Sequence, residues 1–359
     1  MSRGAVRAVF AVPGNIETPT GGYAYARRLI AAGREAGLLL DHWPLPEGFP
    51  ETSLALLAET ERRLSLAPEG WPVLIDGLAC GALPPDLIAR LPGPVIALCH
   101  HPLGLETGLR DDRAARLLEG EAAALEACAG VVTTSRATAD LLVERLGVRR
   151  AAITVAPPGT DPAEPAHGSG GSAVEILSVG SLTPRKGHDL LIDALAPLAH
   201  LDWHLTIAGA GDRDPAFAAA LEARIAAAGL GDRVTLMGPV GEAELDALYD
   251  RADLFALASR YEGFGMVFAE AMARHLPVLG PDLPAVAEAT RGAAHLVAPD
   301  DAAALSDALV PLLSDPAARA RLSAASASAA GKLPRWADTA RCVAGAIAAA
   351  AEPRDLATA

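Results

Sequence analysis

Residues 253–273 read DLFALASRYEGFGMVFAEAMA, a pattern of strand, turn and helix. The apolar start predicts a buried strand over Leu254–Leu257, and the second half predicts a helix over Gly265–Ala273. A polar turn that ends in Glu-Gly-Phe-Gly joins the two. A helix that begins directly after such a turn presents unpaired N–H groups and a partial positive charge, which suit a diphosphate.

Two glutamates flank the start of this helix. Glu262 lies in the turn, and Glu270 lies within the helix, where its side chain leans back toward the N-terminus. Carboxylates beside an anion site suit sugar hydroxyls, from which they accept strong hydrogen bonds. The alternative is that Glu262 is a turn residue and Glu270 a solvated helix residue. Their placement across a junction with Gly263 and Gly265, which let the backbone approach a ligand, favours a binding site.

Short apolar runs alternate with longer helical patterns along the rest of the chain, which predicts right-handed βαβ units and parallel sheets covered on both faces. In the first half, strands are predicted at Val6–Val12, Val73–Asp76, Val95–Cys99, Gly130–Thr133 and Ile153–Val155. In the second half, they are predicted at Glu175–Val179, His204–Ala208, Val234–Met237, Leu254–Leu257, Pro277–Leu279 and Ala294–Val297. Ligands bind beyond the carboxyl ends of strands in such sheets, so we expect the site in a cleft between two domains.

Residues 156–173 interrupt this alternation with APPGTDPAEPAHGSGGSA, in which proline, glycine and serine dominate. Such a composition is typical of an interdomain linker. We therefore predict an N-terminal Rossmann-like domain at 1–158, a linker at 159–173 and a C-terminal Rossmann-like domain at 174–335, followed by a helix within 336–359.

The composition argues against several classes of protein. The formal net charge of −14 disfavours nucleic-acid binding, which needs a basic excess. Most of the acidic excess lies in the second half, so the first half is compatible with a weak membrane contact, although a solvated surface is the simpler interpretation. The four cysteines have no CxxC spacing and indicate buried thiols in a reducing compartment. No apolar run suits a signal peptide or a membrane span, and we predict a cytoplasmic location.

A second loop carries two cations. The segment VEILSVGSLTPRKGHDLLIDAL, residues 174–195, predicts a strand, a polar loop with Arg185 and Lys186, and a helix. A cation in such a loop points into the expected cleft, where it would neutralise charge that develops on a departing nucleoside diphosphate. The alternative is an ordinary surface Arg-Lys pair.

The first half contributes two further features. His100 and His101 follow a predicted central strand in PVIALCHHPLGLETG, residues 94–108; a metal site is the competing interpretation, but no third ligand lies at a suitable spacing. Gly21 and Gly22 directly precede a helix in PTGGYAYARRL, residues 19–29, a pattern that is usually just a tight turn. The G-x-G-x-x-G fingerprint of dinucleotide-binding proteins is absent, which argues against a dehydrogenase.

The E-x7-E arrangement after S-x-x-E-G-F-G resembles the retaining glycosyltransferases of family GT4, and the resemblance covers essentially the whole chain. It implies the α/β GT-B fold, with two Rossmann-like doubly wound domains that face each other across a cleft. The first would be the acceptor domain and the second the nucleotide-sugar domain. The last helix, opened by Trp336, would cross back to the first domain.

The resemblance also implies roles for individual residues. Glu262 would contact the donor sugar, and Glu270 would hold the ribose hydroxyls of the nucleotide. His100, or else His101, would contact the sugar near its reacting carbon. Further groups would serve the base, the sugar, the phosphates or the acceptor: Gly21, Gly22, Val240, Gly263, Phe264 and Gly265.

The R-x4-K motif of the family is only half present. Its lysine matches Lys186, but Ser181 stands at the position of its arginine. Either Arg185 or an arginine elsewhere supplies the missing charge, or this branch uses one cation fewer.

The predicted function is the retaining transfer of a sugar from a UDP- or GDP-linked donor to an acceptor hydroxyl, without a metal or a cofactor. The resemblance further implies that the leaving diphosphate helps to deprotonate the acceptor on the same face of the sugar. The acceptor could be a lipid, a polysaccharide or a small metabolite. Two rivals remain open. One is another enzyme on the same fold, an epimerase or a phosphorylase. The other is a non-catalytic sugar-nucleotide-binding regulator, which the substitution at Ser181 favours.

Overall fold

The computed structural model describes residues 5–352 and divides into two compact units. One unit comprises the described residues up to Gly159 together with those from Pro334 onward, and Thr160–Leu333 form the other. Each unit contains one parallel six-stranded sheet surrounded by helices. The prediction of two doubly wound α/β units is therefore confirmed.

The sheet of the first unit has the strand order β2–β1–β3–β4–β5–β6, with every neighbouring pair parallel. Its strands are β1 (Val6–Pro13), β2 (Leu38–Leu45), β3 (Val73–Asp76), β4 (Val95–Cys99), β5 (Gly130–Thr133) and β6 (Ile153–Val155). Its helices are α1 (Gly21–Gly33), α2 (Leu54–Leu64), α3 (Gly77–Cys80), α4 (Pro85–Ala89), α5 (Asp111–Ala127), α6 (Arg136–Leu146) and, from the end of the chain, α14 (Trp336–Ala351). Strands β3 and β4 are buried along their whole length, as expected for central parallel strands.

Strand β2 is missing from the sequence prediction. Asp41, His42 and Pro44 interrupt its apolar pattern, and most of its residues are partly exposed. It lies at the edge of the sheet, next to β1 only, where polar residues and a proline are tolerated because one side of the strand carries no ladder.

The sheet of the second unit has the order β12–β11–β10–β7–β8–β9, again entirely parallel. Its strands are β7 (Val174–Val179), β8 (Trp203–Ala208), β9 (Val234–Gly238), β10 (Leu254–Ala256), β11 (Val278–Pro281) and β12 (His295–Val297). Its helices are α7 (His188–Leu195), α8 (Pro215–Ala227), α9 (Glu242–Arg251), α10 (Met266–Ala273), α11 (Pro284–Ala289), α12 (Ala302–Ser314) and α13 (Pro316–Ala330).

The segment predicted as a linker is joined to the second unit from Thr160 onward. It has no regular secondary structure, but its backbone is hydrogen-bonded to that unit. The N–H of Ala166 donates to the carbonyl of Arg274, and that of Gly168 to the carbonyl of Asp250, both at 2.9 Å. The segment rich in proline, glycine and serine thus has no helix or strand, as its composition indicated, but from Thr160 onward it packs on the second unit.

Each sheet changes its direction of growth once. In the second unit the chain runs outward from β7 through β8 and β9, then returns to the other side of β7 as β10. In the first unit the same change occurs between β1 and β3. The loops that leave the two strands at such a point diverge, and the crevice at their carboxyl ends is where open α/β sheets bind ligands.

Candidate active site

A buried ion pair lies at the switch point of the second unit. The loop after β7 carries Lys186, the loop after β10 carries Glu262, and Nζ lies 2.6 Å from Oε1. The Ser259 hydroxyl donates to the same oxygen at 2.7 Å. The Arg185 guanidinium lies 3.7 Å from Oε2 and donates to the Tyr261 carbonyl at 3.2 Å. Two predicted cations and one predicted carboxylate therefore meet in one cluster.

The charge of Glu262 is set by this cluster. Burial on its own would raise the pKa of the carboxyl, because desolvation disfavours the charged form. The nearby Lys186 and Arg185, with hydrogen bonds from Lys186 and Ser259, outweigh burial and lower the pKa of Glu262 below its usual value. The side chain is thus an acceptor-only carboxylate near neutral pH, as hydrogen bonding to a sugar hydroxyl requires.

The start of α10 depends on glycine. Gly265 has φ of +96°, in the left-handed region, and precedes Met266, the first residue of the helix. A Cβ on Gly265 would lie 2.8 Å from the ring of Phe268, which is fully buried. Phe264 is also buried, so the Glu-Gly-Phe-Gly turn is packed against the core of the unit. The helix N-terminus next to Glu262 is therefore held by packing.

Glu270 has a partner that the sequence analysis did not identify. The hydroxyl of Tyr249, on α9, donates to Oε2 of Glu270 at 3.1 Å and also lies 3.3 Å from the carbonyl of Val267. Tyr249 is buried beneath the Arg274 guanidinium, which lies 4.6 Å from its ring centroid. The rotamer of Glu270 is thereby supported from α9, which only the packing of the two helices reveals.

Arg260 ties the two loops together and was also not identified. Its guanidinium binds both carboxylate oxygens of Asp189 at 2.8 and 2.9 Å and reaches Asp300 at 2.7 Å. Its backbone N–H donates to the carbonyl of Arg185 at 2.8 Å. Bidentate arginine–carboxylate pairs are rigid, so Arg260 fixes the loop after β7 to the loop after β10.

The backbone around Ser181 is tightly packed. His188 is buried, and burial lowers its pKa to about 4, so the ring is neutral and its Nε2–H donates to the Gly180 carbonyl at 3.1 Å. A Cβ on Gly180 would lie 3.1 Å from the stem of Lys186, which crosses above it. Arg185 is the arginine that the structure places beside Lys186, and Ser181 carries no charge there. Val240 is partly buried against the core of this unit, just beyond β9.

The first unit groups a second set of predicted residues around His100. Its Nε2 lies 3.2 Å from Oδ2 of Asp76, a buried carboxylate at the end of β3. A Cβ on Gly22 would lie 3.5 Å from the imidazole, and the ring of Tyr25 meets it edge-on at 5.2 Å. The glycine pair and the first histidine are thus brought together, whereas a Cβ on Gly21 would meet nothing within 4 Å.

The two histidines point to different partners. Nε2 of His101 lies 3.1 Å from Oε2 of Glu106, in the loop that follows β4. His100 instead faces Asp76 and Gly22 at the switch point of its sheet. Of the two, His100 is therefore the one placed beside Gly22. The glycine pair was predicted to precede the helix, but it forms the first two residues of α1, which begins after the N-cap Thr20. That this group and the Lys186–Glu262 cluster meet across a cleft stays a prediction.

Residues 5–352 contain neither a cluster of potential metal ligands nor a helix suited to span a membrane. No group of three or more histidine, cysteine, aspartate or glutamate side chains is arranged to hold a metal ion within that range. No helix in that range combines the length and the apolar character that a membrane span requires.

Comparison with known families covers both units. Residues 161–328 match the family model described as Glycosyl transferases group 1, and residues 25–164 match Glycosyltransferase Family 4. The chain belongs to the GT4-type glycosyltransferases. The resemblance to family GT4 that was inferred from the E-x7-E arrangement is confirmed.

Curated relatives of this GT4-type chain are similar over part of their length. Mannosylfructose-phosphate synthase of Agrobacterium fabrum is 34% identical over 169 residues, which cover 42% of this chain and 37% of that protein. The lipopolysaccharide core mannosyltransferase LpsB of Rhizobium meliloti is 36% identical over 156 residues, 42% and 43% of the two chains. A D-inositol 3-phosphate glycosyltransferase of Xylanimonas cellulosilytica is 33% identical over 242 residues, 60% and 56%. The matches thus span between about a third and just over half of each relative.

Solved structures share the fold of the GT4-type chain over nearly its full length. Sucrose-phosphate synthase from Thermosynechococcus elongatus has a TM-score of 0.78 at 21% identity and covers 93% of this chain and 96% of its own. Anabaena HepE in complex with UDP-glucose has a TM-score of 0.72 at 17% identity, with 94% and 98% covered. At these identities the comparison shows the fold, which is GT-B.

Proposed function

We propose that this protein transfers a sugar from a nucleoside diphosphate sugar to an acceptor hydroxyl, with retention of the anomeric configuration. The observation that carries the proposal is the buried Lys186–Glu262 pair at the glycine-dependent start of α10, with Nζ and Oε1 2.6 Å apart. In one crevice, the cation and the helix N-terminus suit the charged phosphates of a donor, and the carboxylate suits its sugar hydroxyls.

The charges of the cluster suit the leaving group. When the bond between the anomeric carbon and the diphosphate breaks, negative charge grows on the phosphate oxygens. An ammonium has three N–H donors, so Lys186 can hold Glu262 and a phosphate oxygen together. Arg185, 3.7 Å from the same carboxylate, adds a second cation to the site. Charges that are already in position stabilise the transition state without reorganisation.

Retention follows if the acceptor attacks from the face that the diphosphate leaves. In that reaction the bond from the anomeric carbon to the diphosphate breaks, and a bond to the acceptor oxygen forms on the same face. The acceptor proton passes to a diphosphate oxygen, so the products are a glycoside and a nucleoside diphosphate. Glu262 orients the sugar through its hydroxyls in this proposal and forms no covalent bond with it.

Glu270, held by Tyr249, binds the ribose of the nucleotide in this proposal. The Tyr249 hydroxyl donates a hydrogen bond to Oε2 of Glu270 at 3.1 Å. Each carboxylate oxygen accepts more than one hydrogen bond, so Glu270 can also accept hydrogen bonds from the two ribose hydroxyls. The complex of HepE with UDP-glucose, a protein of the same fold, supports a uridine donor as the first to test. Several relatives are mannosyltransferases, so GDP-mannose is tested beside it.

The test has two stages. Thermal shift with UDP, GDP and ADP identifies the base, because a ligand that binds the folded state raises its stability. The matching sugar nucleotides are then incubated with lipid, polysaccharide and small-metabolite acceptors, and NMR of the product gives its anomeric configuration. A product with the inverted configuration would exclude retention.

Other outcomes identify the rival functions. Conversion of the donor without any acceptor would indicate an epimerase, and a pyridoxal absorbance band on the purified protein would indicate a phosphorylase. Donor binding without turnover over the whole acceptor panel would support a non-catalytic regulator.

A further inference from the structure

A buried carboxylate outside the proposed reaction lies behind the strand end that carries the two histidines. Glu121, on α5, is 1% exposed. The neighbours of Glu121 on the inner face of α5 are apolar, with Ala124 and Leu125 buried and Leu118 packed against the core. A glutamate therefore occupies a position where the helical period predicts an apolar core residue.

The partners of Glu121 flank the histidine pair. Oε2 accepts the backbone N–H of Leu103 at 2.7 Å, and Oε1 lies 3.8 Å from the thiol sulfur of Cys99. Cys99 is the last residue of β4, and Leu103 follows the pair after one proline. One side chain thus contacts the chain on both sides of His100 and His101, through the backbone N–H of Leu103 and the side-chain thiol of Cys99.

Burying this carboxylate is costly. Among residues 5–352, no lysine, arginine or histidine forms an ion pair with Glu121, and its hydrogen-bond partners are Leu103 and Cys99. A buried carboxylate without a cation costs several kcal/mol, and an apolar side chain of similar size would cost less. A glutamate here therefore points to a task beyond core packing.

We propose that Glu121 is a positioning residue that fixes the strand end carrying His100, with its buried carboxylate accepting the backbone N–H of Leu103 and contacting the thiol of Cys99. The inference rests on the proposed function only for the consequence of that positioning, which is a correctly placed imidazole. Asp76 holds the imidazole itself, 3.2 Å from Nε2, so side chain and backbone are held by different carboxylates.

The strength of this anchor depends on pH. Burial raises the pKa of Glu121 to about 7, although the N–H of Leu103 and the thiol of Cys99 oppose the rise. The titratable groups that face it are Cys99 on β4 and Cys80 on α3, which contacts Cys128. Burial raises the pKa of the Cys99 thiol. The neighbouring Cys128 and burial raise the pKa of the Cys80 thiol, so both Cys99 and Cys80 stay neutral. A carboxylate accepts a stronger hydrogen bond than the neutral acid, so the strand end is held most firmly above pH 7.

Three variants of the full chain test the proposal without requiring turnover. Glu121→Leu removes the acceptor, Glu121→Gln keeps an acceptor but cannot ionise, and Glu119→Gln changes an exposed carboxylate of the same helix as a control. Amide hydrogen exchange at pH 7.5 is followed on peptides that cover residues 99–105. Protection there is expected to fall on the order of tenfold in Glu121→Leu, which is the loss of one hydrogen bond, and to be unchanged in the control. Unchanged protection in Glu121→Leu would overturn the anchoring role.

The activity measurement tests the consequence. With the donor and acceptor found for the wild type, turnover is expected to rise as pH increases through about 7, where Glu121 ionises. Glu121→Gln should lose this rise and Glu119→Gln should keep it. A rise that persists in Glu121→Gln would assign the titration to another group and overturn the pH dependence proposed here.

If no donor and acceptor pair gives turnover, the proposed function fails, while hydrogen exchange still decides whether Glu121 anchors the strand end. If Glu121→Leu does not fold, Glu121→Gln is compared with the wild type at pH 6 and 8.5. The wild type alone should then gain protection at residues 99–105 with pH, and equal behaviour of the two would reject the anchor.

Discussion

Replacing Lys186 by methionine separates the charge of this residue from its packing. The lysine stem crosses Gly180, where a Cβ would lie 3.1 Å from it, and methionine keeps most of this apolar contact. The substitution removes the ammonium that lies 2.6 Å from Glu262. It therefore measures what the positive charge contributes to stability and to transfer.

The stability effect can be estimated from the surroundings of the pair. Breaking a buried ion pair on one side costs roughly 3–5 kcal/mol, because the other charge is left uncompensated. Arg185 and Ser259 remain near Glu262, at 3.7 and 2.7 Å, so we expect the lower part of that range. The double variant Lys186→Met/Glu262→Gln removes both charges and should recover most of the loss. Urea unfolding followed by circular dichroism gives these free energies.

The effect on transfer is expected to be separate. Losing a hydrogen bond to a charged group costs about 1.5–3 kcal/mol, which corresponds to roughly a ten- to hundredfold lower kcat/KM. The double variant should not recover this loss, since the cation that meets the diphosphate is still absent. Lys332, the only other lysine of the chain, is exposed, and Lys332→Met is the matched control with expected wild-type values.

Two results would refute this reasoning. Turnover of Lys186→Met equal to that of the wild type would remove Lys186 from the reaction. Recovery of turnover in the double variant would show that Lys186 only neutralises Glu262.

Further predictions concern the nucleotide, metals, the helix start and pH. Glu270→Ala should weaken binding of the free nucleoside diphosphate by about 1.5–3 kcal/mol in calorimetry, and equal affinity would count against a ribose contact. EDTA should leave transfer intact, and a complete loss that Mg²⁺ restores would revive a metal-dependent mechanism. Gly265→Ala should destabilise the protein by about 1–3 kcal/mol in urea unfolding, because φ is +96° and the new Cβ would lie 2.8 Å from Phe268; an unchanged midpoint would contradict this. The free energy of unfolding of the wild type, relative to that of Glu121→Gln, should fall by up to about 3 kcal/mol as pH rises from 4.5, the usual glutamate pKa, to about 7. The reason is that the unfolded chain releases the proton of Glu121 at lower pH than the folded chain does. A difference that does not change with pH would contradict the raised pKa of Glu121.

Local pattern predicts much of this fold. Strands β3, β4 and β5 have the bounds that their apolar runs predict, because a central parallel strand is buried on both faces and reads as an uninterrupted apolar run. The short edge strand β6, which is partly exposed, also has its predicted bounds. Edge strand β2 was not predicted, because its exposed side accepts Asp41 and Pro44, which interrupt the apolar run. The E-x7-E arrangement was also readable, because it lies within one strand–turn–helix segment.

The contacts of the site were not readable from local pattern. Lys186 and Glu262 are separated by 76 positions and meet because β7 and β10 are neighbours at a change of strand order. The partner of His100, Asp76, ends the neighbouring strand β3. These pairings depend on which strands lie side by side, and no periodicity within a segment carries that information.

The amino-acid sequence therefore determined the class of fold, the family and the segments in which the functional side chains lie, since each depends on residues close together in the chain. The tertiary structure decided which side chains share a charge or a hydrogen bond: Arg185 beside Lys186 at Glu262, Tyr249 under Glu270, and Glu121 behind the histidine pair. Burial and neighbouring charges set the pKa of Glu262 and burial that of Glu121, and both arise only when distant segments pack together.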